Sequence, residues 1–257
     1  MHLPNWHYNE FQQIGTDFED SYYVEIYDCQ QSSSSPEAEQ QLVQRLGIAK
    51  GDRVIDLGCG TGTFAIQAAL AGAQVKAVDI SPVMLNYARQ KAAIANAETI
   101  EFCHSGFLTY EPDSDLADHV VTKSALHHLP DFWKMIAILR MAACLKPRGV
   151  LYIRDTVFSF NPTEYRTHIN QWIENAAKPA AQGWTASDFE THVREEYTTF
   201  GWVLEGMLVR AGFEIEVAHY LTPTHAEYVC TNMFAKQTHR SRLHEDKNIR
   251  SSRTGCF

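Results

Sequence analysis

The segment Val54-Ile-Asp-Leu-Gly-Cys-Gly-Thr-Gly62 constrains this chain more than any other. An apolar run that reads as a buried strand enters a turn with three alternating glycines, and a helical pattern opens near Thr63. Glycines in that spacing remove the Cβ atoms that would hold a ligand away from the backbone. The next strand pattern, Gln74-Val-Lys-Ala-Val78, ends on Asp79, 17 residues beyond Gly62. A carboxylate at the tip of a second strand is where a nucleotide-binding sheet meets a ribose. A glycine turn alone says little. Strand, turn, helix, strand and terminal acid in that order specify a nucleotide site.

The kind of nucleotide follows from charge. Asp56 is expected inside the turn, two residues before Gly58. There it would repel the pyrophosphate of a dinucleotide. The spacing is G-x-G-x-G rather than G-x-G-x-x-G, and no P-loop lysine follows. A ligand with an ammonium, a sulfonium and a ribose diol suits both Asp56 and Asp79. S-adenosyl-L-methionine carries all three.

The stretches VIDLGCGTGTFA, AVDIS, VVTKSALHHLPDFW and LKPRGVLYIRD resemble the successive motifs of class I S-adenosylmethionine-dependent methyltransferases, over about residues 36–236. The nearest likeness is to the group that holds the ubiquinone/menaquinone C-methyltransferases. The resemblance implies an α/β fold: a Rossmann-like, mostly parallel seven-stranded sheet with helices on both faces, an antiparallel C-terminal strand and helical lid segments. It implies an enzyme that uses S-adenosyl-L-methionine, held by Asp56, Gly58, Gly60, Thr61, Gly62, Asp79, Ile80, Met84, Gly106, Phe107 and Ser124. Ile80 and Met84 would flank the adenine, with plain core packing as the alternative. Many members carry an aspartate near Gly106 that accepts a hydrogen bond from the adenine amino group. This chain has Ser105-Gly106-Phe107 there, so backbone groups or stacking would have to serve. The motifs say almost nothing about the methyl acceptor.

A chain of 257 residues allows one large domain, or one domain with a lid. Residues 1–35 read as an aromatic helical cap and a serine-rich link, 36–237 as the cofactor-binding domain, and 238–257 as a disordered polar tail. Strands are expected near 52–57, 74–79, 99–103, 118–122 and 149–155, with helices near 37–46, 63–71, 82–95 and 131–144. This alternation calls for right-handed crossovers and a parallel sheet. Asp131 is expected to cap the last of those helices and Phe132, Met135, Ile136 and Leu139 to form its buried side. An aromatic insertion at about 156–186 breaks the rhythm, with a helix within 163–176 and a capping box at Ser187-x-x-Glu190. A helix over 200–211 and a hairpin of strands near 213–219 and 226–236 follow.

His127 and His128, after the fourth strand, are the base candidates, because imidazole titrates near neutral pH. The alternative is that one packs on the sheet while the other binds backbone, since methyl transfer by alignment alone needs no strong base. Arg154 and Asp155 end the fifth strand, and Tyr22, Tyr23, Tyr165, His168 and Trp172 lie on the two lids. These are the acceptor-side candidates, with lid packing as the competing role. His192-Val-Arg-Glu-Glu-Tyr197 reads by default as a solvated helix turn, with a substrate-facing cluster second. Six scattered cysteines without C-x-x-C spacing imply reduced thiols in a cytoplasm and no metal centre.

A net charge of −9 argues against a general nucleic-acid binder. No signal peptide or membrane-spanning run is evident. The expected partner is therefore a small-molecule acceptor, methylated on carbon or oxygen. The same chemistry on tRNA or protein and a non-catalytic cofactor-binding role are the alternatives, and the oligomeric state stays open.

Overall fold

The computed structural model describes residues 4–12, 14–15, 24, 28, 35–112, 115–179 and 182–234. Ser35 accepts the Ala38 N–H and Pro36 sits in the first turn, so α1 opens at Pro36 and runs Pro36–Arg45. Five strands and three helices follow: β1 (Arg53–Leu57), α2 (Thr63–Leu70), β2 (Gln74–Asp79), α3 (Pro82–Ile94), β3 (Ile100–His104), β4 (Ala117–Lys123), α4 (Asp131–Cys144) and β5 (Leu145–Phe158). Beyond β5 come α5 (Tyr165–Ala176), α6 (Ala186–Glu195), the two-residue β6 (Thr199–Phe200), α7 (Gly201–Arg210), β7 (Phe213–Thr222) and β8 (His225–Asn232).

The strands lie in the order β3-β2-β1-β4-β5-β8-β7, and β6 pairs with the end of β5. Pairs from β3 through β5 are parallel, whereas β8 runs antiparallel to both β5 and β7. This is the mostly parallel α/β sheet with an antiparallel C-terminal strand. The central strands are covered on both faces, which explains their near-continuous apolar sequence. Ile55, Leu57, Val120, Leu151 and Ile153 pack with α4 and α7. Val54, Val75, Ala77, Val121 and Tyr152 pack with α1 and α2 on the other face. The crossing from β1 to β4 leaves a crevice at the carboxyl ends of the strands, where open α/β sheets bind ligands.

Several local expectations are corrected. Asp131 does not cap α4: the residue before the helix is Pro130, and the Asp131 carboxylate takes the Lys134 ammonium at 2.9 Å. The buried residues of α4 include Lys134, Ala137, Ile138 and Met141; of the four expected, Met135 and Ile136 are partly buried against the core, while Phe132 and Leu139 are exposed. The capping box of α6 lies two residues earlier than expected, at Thr185 and Asp188. The expected lid helix is present as α5, but α6 follows it before the chain returns to the sheet. Among the described residues, no helix is long and apolar enough to cross a membrane. The 238–257 tail and most of the 16–34 segment lie outside the described residues.

Candidate functional site

Gly58, Gly60 and Gly62 all have positive φ, at 74°, 52° and 77°. A Cβ on Gly58 would collide with that of Ala125, and one on Gly62 would come within 2.9 Å of the Ala88 Cβ. The turn thus needs glycine for its own conformation and for close packing. Asp79 clamps it: one carboxylate oxygen accepts the Gly60 N–H at 2.8 Å and the other accepts the Ser81 N–H at 2.9 Å. Burial raises the Asp79 carboxyl, and these backbone donors oppose the rise.

Asp56 belongs to β1 rather than to the turn. It is 2% exposed, and its Oδ2 has no hydrogen-bond partner among the described residues. Burial lifts its carboxyl to about 7, with the Lys123 ammonium opposing. Lys123 itself is ion-paired with the buried Glu39 of α1. An orphan buried carboxylate oxygen at the foot of a glycine turn is an anion in want of a cation or a donor.

Around this floor, Thr61 and Met84 are buried and Ile80 is 36% exposed. The Met84 N–H donates to the Ser81 hydroxyl. Ser124 holds a left-handed φ of 50°, and its N–H donates to the Arg154 carbonyl at 2.8 Å. Strain of that kind collects where a surrounding structure fixes a functional loop. The acid that the sequence lacks beside Gly106 is present in space. Glu10 accepts from the Leu108 N–H at 2.9 Å and the Thr109 hydroxyl at 2.7 Å, and a Cβ on Gly106 would strike its carboxylate. Phe107 is partly buried against the same core, its carbonyl taking Arg140 Nε at 3.1 Å.

The second half of the site is a knot of imidazoles and carboxylates. His127 Nδ1 is paired with Asp155 Oδ1, and the His127 N–H donates to Asp155 Oδ2 at 3.0 Å. His127 Nε2 stands 3.2 Å from Glu196 Oε2, and His192 Nδ1 bonds to that same oxygen. His192 Nε2 and the Thr198 hydroxyl share a hydrogen bond of 2.9 Å. Burial alone would lower His127, but Asp155 and Glu196 overcome it and lift the ring to about 10. Burial and the neighbouring His127 push His128 down to about 4. Its ring lies 4.3 Å from that of His127.

The acceptor-side candidates divide. Trp172 meets His192 edge-on at 5.3 Å and Phe158 at 6.4 Å, which brings α5 onto the knot. His168 stacks on Phe160 at 4.8 Å. Tyr165 is 50% exposed and its hydroxyl takes Arg166 Nε, so it sits on the outer surface of α5. Arg154 stands in β5 beside Lys123 of β4 and Glu227 of β8. Tyr22 and Tyr23 lie outside the described residues. His192 and Glu196 overturn the default of a solvated helix turn, since their side chains are largely shielded and paired with each other. Their i,i+4 spacing was the available signal, because it places two ligand-type side chains on one helix face.

Residues 48–215 match a family model described as a methyltransferase domain. Over 215 residues the chain is 27% identical to the 27-O-demethylrifamycin SV methyltransferase of Amycolatopsis mediterranei (strain S699), covering 74% of this chain and 77% of that one. A demethylmenaquinone methyltransferase of Staphylococcus aureus (strain Newman) is 26% identical over 120 residues, 46% of this chain and 48% of the relative. The chain thus spans about half of that second protein. The solved structure of magnesium protoporphyrin IX methyltransferase from Synechocystis PCC 6803 with bound SAH superposes with a TM-score of 0.58 at 19% identity, covering 87% of this chain and 91% of that one. That likeness is one of fold.

Proposed function

The chain belongs to the class I S-adenosylmethionine-dependent methyltransferases, and from that premise we propose that it methylates an oxygen or carbon of a small, conjugated, hydroxyl-bearing acceptor. The observation that carries this reading is a run of rings in contact on the acceptor side: Phe158 meets Trp172, Trp172 meets His192, and His192 meets His127. Aromatic walls with a few fixed polar groups suit a small conjugated body, not a polymer backbone. The 27-O-demethylrifamycin SV and demethylmenaquinone relatives bear names of small acceptors, which supports the same class.

When bound, S-adenosyl-L-methionine supplies an electrophilic methyl group on a sulfonium. The residues of this chain fit it. Asp56, with its unpartnered buried oxygen, would take the ammonium of the methionine end. Asp79 keeps lone pairs for the ribose hydroxyls while its backbone donors hold it still. Gly58, Gly60, Thr61 and Gly62 would allow close backbone approach, Ile80 and Met84 would flank the base, and Gly106, Phe107 and Ser124 would complete the rim. Arg154, His168 and Trp172 would face the acceptor. Both ring nitrogens of His127 are engaged, so it positions. His128, pushed down to about 4 by burial and by His127, is a weak base, so it lines the site rather than taking the acceptor's proton. Alignment of nucleophile, methyl carbon and sulfur supplies the rest of the rate.

Native mass spectrometry of the purified chain tests this. A bound low-mass conjugated compound that gains one methyl group on addition of S-adenosylmethionine is the expected result. A chain that returns every such compound unchanged, yet methylates tRNA or protein from the same cells, would overturn it.

A further inference from the structure

Three ligand-type atoms from two distant segments converge on one point in the acceptor-side wall. They are His127 Nε2, from the turn after β4, and His192 Nδ1 and Glu196 Oε2, from the end of α6, all within 4.8 Å of one another. We propose that His127, His192 and Glu196 bind a divalent transition-metal ion of the zinc class. Two imidazoles and one carboxylate are a common catalytic zinc set, and they disfavour magnesium and calcium, which prefer oxygen ligands.

The geometry supports this set. Ligand bonds of about 2.0–2.1 Å at tetrahedral angles put neighbouring ligand atoms roughly 3.3–3.4 Å apart. His127 Nε2 and Glu196 Oε2 are 3.2 Å apart, whereas His192 Nδ1, bonded to that same oxygen, would have to draw back to this spacing when the ion binds. Each histidine also has its other nitrogen fixed from behind. Asp155 holds His127 Nδ1 and the Thr198 hydroxyl holds His192 Nε2. Such outer partners set the ring orientation and raise the basicity of the ligating nitrogen. All three ligand side chains are shielded, with exposures of 7%, 14% and 6%. The backbone of Gly15 lies over the other Glu196 oxygen so closely that any side chain there would collide. Without a metal, two ring nitrogens must share a single carboxylate oxygen.

An ion with three protein ligands would keep at least one position open, and the Trp172 ring lies 5.3 Å from that of the ligand His192. There it would orient a hydroxyl or carbonyl oxygen of the acceptor as a Lewis acid. This use of the ion rests on the methyl-transfer reading above, whereas its binding does not. The spacing of His192 and Glu196 was readable as a ligand pair, but His127 joins them only in space, across the whole of α4, β5 and α5.

The test is a titration of chelator-treated full-length protein with Co2+, followed by its visible ligand-field absorption and by calorimetry, with S-adenosylmethionine binding measured in parallel. The expected result is one cobalt per chain, displaced by Zn2+. His192→Ala and Glu196→Gln should abolish the absorption, and Asp155→Asn should weaken binding about 10–100-fold. All three should retain S-adenosylmethionine binding, which shows that they are folded. No cobalt absorption in the wild type, or equal absorption in wild type and variants, would overturn the proposal. Loss of S-adenosylmethionine binding by the wild type would instead count against the cofactor assignment alone.

Discussion

Asp79 does two jobs that a single substitution separates. It should hold the ribose, and it accepts the N–H groups of Gly60 and Ser81. Asp79→Ala should weaken S-adenosylmethionine binding by about 1.5–3 kcal/mol, the scale of a hydrogen bond to a charged group. Asp79→Asn, which keeps an acceptor for one backbone donor, should lose less. Calorimetric titration measures both, and an unchanged dissociation constant in Asp79→Ala would reject the role. This half of the site was legible in the sequence because it is local: one strand, one turn and one strand tip carry it. The other half was not. Glu10 reaches Leu108 and Thr109 across nearly a hundred residues, and His192 and Glu196 reach His127 across more than sixty. Pairing over such distances leaves no periodicity to read. Tyr165 shows the opposite error, in which an aromatic on the right element points to solvent.

At the scale of elements, helix starts set by a serine before a proline were legible at α1 and α3, since the cap chemistry is written in adjacent residues. The rotation of α4 was not. Its sequence is apolar on nearly every side, so helical periodicity has little contrast there. Lys134 is buried because Asp131 and the Tyr197 carbonyl satisfy its ammonium, which no hydrophobic pattern foretells. Ile138→Ala should therefore cost about 2–5 kcal/mol of stability, whereas Phe132→Ala should stay within about 0.5 kcal/mol. Urea midpoints decide, and equal losses would mean the helix is turned otherwise.

The clamp of α1 on the sheet has its own pH signature. Arg45 holds Glu227 in a two-pronged ion pair, and Tyr152 donates to the same carboxylate at 2.8 Å. Together they hold the Glu227 carboxyl down at about 2. A depressed folded value means the unfolded chain takes up the proton first as pH falls. The stabilisation is thus full above the ordinary glutamate range, near about 4.3, and fades toward pH 2. The stability gap between wild type and Glu227→Gln should be largest near neutrality and shrink over that window. A gap that does not change with pH would show that the ion pair contributes nothing.

Across the whole molecule, both halves of the site sit at the carboxyl ends of the parallel strands, where the β1–β4 crossing opens the crevice. The N-terminal segment lies across both. Glu10 docks on Leu108 and Thr109, the Tyr8 hydroxyl donates to the His128 carbonyl at 3.4 Å, and Gly15 covers Glu196. A lid so placed would exclude water from the methyl group and align the acceptor. A chain lacking residues 1–15 should keep much of its cofactor affinity and lose most of its turnover, and full turnover in that chain would dismiss the lid. The parallel sheet was legible in the alternation of elements, but the route of this segment was not, since its aromatics have no regular period.

The central claim is that the crevice moves a methyl group from S-adenosylmethionine to a small molecule. The most direct measurement incubates the full chain with methyl-labelled S-adenosylmethionine and a whole-cell extract, then separates low-mass compounds from RNA and protein. Label in a low-mass compound, absent with Asp79→Ala, is the predicted result. Label confined to RNA or protein would contradict the account, as would cofactor binding without any transfer.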